Sequence, residues 1–159
     1  MPNWVERLDF LIQSRKHMRF AWGINDCVLF AAAAVEAVTG KDLSEPYRNY
    51  ESRAGAKYFL RRIVKEKSYY DCMRLLPTHF GFKRIDPKQA QRGDLVLLTR
   101  SRVDPVVAKV GVNHASQPNP WPSAPALGVV SLDGRYAVVP GPEGLVRTPM
   151  DRAFIAWRV

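Results

Sequence analysis

Phe20-Ala21-Trp22-Gly23-Ile24-Asn25-Asp26-Cys27-Val28-Leu29-Phe30, followed by Ala31 to Val38, is the stretch around which the rest of the chain must be arranged. Its first part reads as a loop, with Gly23 as the breaker and Asn25 or Asp26 as a helix cap. From Cys27 to Val38 every residue except Glu36 is apolar, and Thr39-Gly40 supplies a stop. A helix apolar on nearly all faces belongs in the middle of a domain. Cys27 then falls in the first turn of a buried helix, where unpaired N–H groups and the helix dipole favour a thiolate. The plain alternative is a buried structural cysteine, the usual fate of a free thiol in a helix.

The rest of the composition suits a single domain over residues 1–159. An apolar fraction of 47% with 25% charged residues is that of a globular chain long enough to bury a core without staples. No apolar run approaches the roughly 20 residues that cross a bilayer, and no basic-then-apolar leader opens the chain. The protein is therefore expected to have no membrane span and to be made in the cytoplasm. Its two cysteines, Cys27 and Cys72, make neither a disulfide framework nor a zinc site, so no metal or cofactor is expected. The formal charge of +9 admits nucleic acid, anionic polymers or acidic proteins as partners.

Residues 1–83 read as mainly helical. Asn3 caps a first amphipathic helix to about His17, with Trp4, Leu8, Leu11 and Ile12 inward. After the central helix, Lys41 to Glu51 is a linker in which Pro46, Tyr47 and Tyr50 suggest a packed irregular segment. Ser52 or Arg53 to Lys67 is a second amphipathic helix. Tyr58, Phe59, Ile63 and Val64 are placed inward, and Lys57, Arg61, Arg62 and Lys65 outward. Ser68 caps a short helix through Tyr69, Met73 and Leu76, ended by Pro77 and Gly81.

Residues 84–159 read as β-rich. Gln89 to Asp94 is a turn and Leu95 to Leu98 a buried strand. Leu127–Leu132 and Arg135–Val139 form a hairpin around Asp133-Gly134. Gly144–Arg147 and Phe154–Val159 complete the set. Helices first and strands second predict an α+β domain, with a helical half packed on an antiparallel, partly closed sheet.

The arrangement Trp22-Gly23-x-x-Asp26-Cys27-x-x-Phe30 resembles the nucleophile motif of the NlpC-type cell-wall peptidases, small papain-like enzymes. Arg92-Gly93-Asp94-Leu95-Val96-Leu97 resembles the strand that follows the cysteine helix in that family. Ala126-Leu127-Gly128-Val129, running on to Asp133-Gly134, resembles its next hairpin. The helical insert from about Lys41 to Lys83 is longer than in the common peptidases. The ending Gly144-Leu145-Val146-x-x-Pro149, then Ala156-Trp157-Arg158-Val159, is similar to a group of small phage proteins encoded among tail genes.

The resemblance implies Cys27 as nucleophile and a histidine at the start of the hairpin, and there the chain carries Ala126. The position of the group that orients the histidine falls near Ala137 or Val138, also apolar. A papain-like cysteine needs a base within hydrogen-bond reach and a third group to orient it. The chain has three histidines. His17 and His79 read as helix-end residues. His114, in Val110-Gly111-Val112-Asn113-His114, precedes the family's strand by about twelve positions and serves Cys27 only if a loop folds it back. Ala126 is expected to face Cys27, with no imidazole in range.

Between Thr99 and Ser123 lie about 25 residues without periodicity, long for a connection inside a domain. Pro105, Pro118, Pro120, Pro122 and Pro125 fall in or just after this Pro-rich loop (99–125). Trp121 is the candidate anchor of an arm that docks on a neighbour, and Arg61, Arg62 and Lys65 offer a second, electrostatic surface. The alternative is a loop folded over its own domain. The leading reading is a virion component of the phage tail tip or baseplate that meets hub or tail-tip subunits, its peptidase fold inactive. The competing reading is a cysteine peptidase or amidase acting on peptidoglycan peptides during DNA entry, with His114 as improvised base. Nucleic-acid binding is suggested only by charge and, with no stacking-aromatic motif beside it, is not expected.

Overall fold

Four helices precede an antiparallel sheet, in the order that the change of hydrophobic period predicts. The computed structural model describes residues 3–47, 49–66, 68–98 and 125–159. The helices are α1 (Trp4–Arg15), α2 (Cys27–Thr39), α3 (Arg53–Val64) and α4 (Tyr69–His79). The strands are β1 (Lys83–Ile85), β2 (Leu95–Leu98), β3 (Ala126–Val130), β4 (Tyr136–Gly141), β5 (Gly144–Pro149) and β6 (Ala153–Arg158). They form one sheet in the order β1-β6-β2-β3-β4-β5, every neighbouring pair antiparallel. Among the described residues β1 and β5 stay as edges, so hydrogen bonding does not close the sheet even in part.

Caps account for the helix boundaries. Asn3 accepts from the Val5 N–H, Ser52 from Gly55 and Ser68 from Asp71. Helix α2 starts on Asp26, not Asn25, and stops at Gly40, whose φ of +79° only glycine adopts without strain. Arg7 of α1 donates from Nε to the Ala37 carbonyl at 2.7 Å, satisfying one of the last carbonyls of α2 with a cation placed where the dipole favours it.

Helix α2 packs on β3 and β4, α4 on β2 and β6, α1 on α2, and α3 on α4. Eight of its residues are buried, Phe30 and Ala34 completely, so α2 is the centre of the core. Strands β2 and β3 are buried along their whole length, which explains their unbroken apolar runs. Tyr47 and Tyr50 are buried in the irregular linker, as their bulk among polar neighbours predicts.

Three details differ from the sequence reading. Tyr58 points outward and is 58% exposed, because α3 buries the stripe of Ala56 and Leu60 instead. Pro77 lies inside the last turn of α4, and Gly81, at φ +90°, follows the end of the helix. Strand β1 is an additional edge strand, whose Lys83-Arg84 carries no apolar alternation. Of the inward set on α1, Leu8 is buried and Trp4, Leu11 and Ile12 are half-buried against the core.

The Gly-Asp turn before β2 is a tie between distant segments. The Asp94 carboxylate, 3% exposed, accepts from the N–H groups of Gln91 (2.8 Å) and Val159 (3.1 Å) and pairs with Arg158 Nε at 3.1 Å. Asp94→Ala leaves those amides without an acceptor and is expected to cost about 2 kcal/mol, lowering Tm by about 4–8 °C. Arg158→Gln removes only a half-exposed partner and is expected to cost under about 1 kcal/mol. Thermal melts of the two variants check the ordering.

Candidate functional site

The loop before α2 is shaped by two buried side chains. Asn25, fully buried, donates from Nδ2 to the carbonyls of Met18 and Arg19 and accepts from Arg15 at 3.1 Å, tying the loop to the end of α1. Burial lowers the pKa of Arg15. Asp26, 1% exposed, accepts at Oδ1 from the Leu29 N–H (2.9 Å). Its Oδ2 accepts from the Gly23 N–H (3.0 Å) and from the Tyr50 hydroxyl (2.5 Å). Three donors therefore converge on one carboxylate, and it locks loop, helix and linker together.

Gly23 is required by the same contact. Its φ is +74°, and a Cβ there would stand 1.7 Å from the Tyr50 carbonyl oxygen. Gly55 at the start of α3 meets the other side of Tyr50, where a Cβ would lie 2.8 Å from the tyrosine Cβ. Tyr50 is thus held between two glycines, its ring tilted on Phe59 at 5.9 Å.

Cys27 opens α2 and is buried. The Tyr69 hydroxyl, from the first residue of α4, lies beside it. Burial first, then the neighbouring Cys27 and Asp26, push the Tyr69 pKa well above the usual phenol range. The Arg53 guanidinium, 5.7 Å from the Tyr69 ring centre, pulls weakly the other way. Burial and then Asp26 also push up Tyr50. Both tyrosines therefore keep their protons at neutral pH and act as donors. Neither can take a proton from a thiol.

Of the remaining candidates, Ala126 begins β3, buried, opposite Leu98 of β2, and its methyl has neither donor nor acceptor. Ala137 and Val138 are buried in β4. His17 and His79 are exposed, and His79 sits edge-on against Phe80 at the end of α4. His114, Trp121 and the arm from Thr99 to Ser123 lie outside the described residues. Arg61, Arg62 and Lys65 are exposed, the first two on the last turn of α3 and Lys65 at its cap. Cys72 is buried, its thiol donating to the Glu66 carbonyl and its pKa raised by burial. Among the described residues no group of three His, Cys, Asp or Glu could hold a metal ion, and no helix is long and apolar enough to cross a membrane.

Sequence reading missed Tyr50 and Tyr69 as parts of this cluster. Both were visible as large residues beside helix caps, but nothing local says that two hydroxyls 19 positions apart turn toward one helix start. The chain belongs to the family described as "Domain of unknown function (DUF6950)", which it matches over residues 1–159. No curated protein matches it.

Proposed function

We propose that this protein is an NlpC-like domain in which the hydrolase chemistry is absent, acting by docking in a phage tail tip or baseplate. The observation that carries the reading is the residue at the start of the β3–β4 hairpin. Where the resemblance implies the histidine, β3 begins with the buried Ala126, whose methyl neither donates nor accepts a proton. Asp26, the nearest carboxylate in sequence, already accepts three hydrogen bonds and closes the loop instead. Cys27 serves as a small residue at a crowded helix start.

The phage context rests on the likeness of the C-terminal segment to small tail-gene products. The proposed partners are hub or tail-tip subunits, and the virion tail is the proposed location. Trp121 is the proposed contact. Purified protein incubated with peptidoglycan is expected to release no peptide fragments above a buffer control. Cys27→Ala is expected to leave tail assembly unchanged in a complementation assay. Fragment release that Cys27→Ala abolishes would overturn this reading in favour of a peptidase or amidase using His114.

A further inference from the structure

Helix α3 presents a row of cations around an exposed aromatic ring. Arg53, Lys57, Arg61 and Arg62 lie on it, Lys65 caps it, and no acidic residue interrupts it. All five are exposed. With a rise of 1.5 Å per residue, Lys57, Arg61 and Lys65 stand about 6 Å apart along one edge. Among the described residues Lys57, Arg61, Arg62 and Lys65 form no ion pair. Of the nearby acids, Asp71 of α4 is held by Ser68 and Arg74, and Glu51 and Glu66 flank the two ends of the helix.

Tyr58 rises in the middle of these cations. Its ring is 58% exposed, with the Arg62 guanidinium carbon 5.7 Å from the ring centre and Phe59 edge-on at 5.6 Å. Ala54, Lys57, Tyr58, Arg61 and Arg62 line one shallow concavity. Cations beside an exposed aromatic are the two elements of sequence-independent single-strand recognition, phosphates on the charges and a base on the ring. The pattern does not fit a protein interface, whose core is apolar with charges at its rim. Here the charges are central and Tyr58 is the one strongly exposed ring among them. It does not fit duplex readout either, because stacked bases cannot reach Tyr58.

We propose that the outer face of α3 binds single-stranded nucleic acid without sequence preference, with Lys57, Arg61, Arg62 and Lys65 on phosphates and Tyr58 stacked on a base. This inference stands apart from the tail reading and from the chemistry of Cys27. The test is fluorescence anisotropy of the full-length protein with a labelled oligothymidylate of about 12 nucleotides, a site size within the range of single-strand binders. A duplex of the same length and an oligoglutamate of the same charge serve as comparators. Tyr58→Ala is expected to weaken strand binding about tenfold at unchanged salt dependence, while Tyr58→Phe keeps it. The variant Lys57→Gln/Arg61→Gln/Arg62→Gln is expected to flatten the slope of log K against log salt by about 2, from three lost phosphate contacts. All four positions are exposed, and circular dichroism checks that the variants fold. Strand binding indifferent to Tyr58→Ala overturns the proposal. So does oligoglutamate or duplex held as tightly as the strand, with oligoglutamate preference assigning the face to an acidic protein.

Discussion

Gly23→Ala is expected to lower the melting temperature by about 10 °C, because its Cβ would make the closest approach among the described glycines. Two costs combine. A non-glycine residue at φ +74° loses about 1–2 kcal/mol in the left-handed region. The added Cβ would also stand 1.7 Å from the Tyr50 carbonyl oxygen, a backbone atom that cannot swing aside. Relieving that overlap means moving the loop away from Asp26 or the linker away from α2, either of which breaks buried hydrogen bonds. The total is about 4 kcal/mol, in the range reserved for named structural defects. Gly134→Ala is the control. It has a similar φ of +71° but open space around its Cα, so it pays the backbone term alone, expected to be about 1 kcal/mol and about 3 °C. If the two variants melt together, the close approach of Tyr50 is not what demands glycine.

Asp26→Ala is expected to cost about 4 kcal/mol and again about 10 °C. The substitution removes a side chain that is 1% exposed and strands three donors, the N–H groups of Gly23 and Leu29 and the Tyr50 hydroxyl. An unpaired buried donor costs about 1–3 kcal/mol, and the helix cap is lost with it. Tyr50→Phe removes one donor and leaves the carboxylate with two, so it is expected to cost only about 1–2 kcal/mol. The double variant should cost at least about 1 kcal/mol less than the sum, since the two groups share one bond. Additive losses in the melts would mean that the Tyr50–Asp26 bond contributes nothing. The result also bears on function. Loss of any activity in Asp26→Ala reports an unfolded loop before it reports chemistry, so Cys27→Ala is the informative variant at this site.

The elements legible in the sequence were those whose cause is local. The apolar run after Asp26 and the stop at Thr39-Gly40 mark α2 to within a residue, because cap, core and terminator all lie inside that window. The Asp133-Gly134 turn marks the β3–β4 hairpin, although the connection is longer than a two-residue turn, with Ser131 and Tyr136 closing it. Strand β1 was not legible. Its three residues owe their extension to pairing with β6, some 70 positions away, rather than to their own pattern.

The sequence by itself determined that helices come before strands, that the helix starting at Cys27 lies at the centre, and that Gly23 and Asp26 sit at its entrance. Each of these follows from hydrophobic period and capping chemistry. Only the tertiary structure decided what surrounds Cys27. Tyr50 and Tyr69 reach the helix start from the linker and from α4, and burial, which no local pattern encodes, keeps their protons on. It also decided which way Tyr58 faces. On α3 the sequence offers two apolar stripes, and the one ending in Leu60 is buried because α4 packs there, which leaves the tyrosine among the cations.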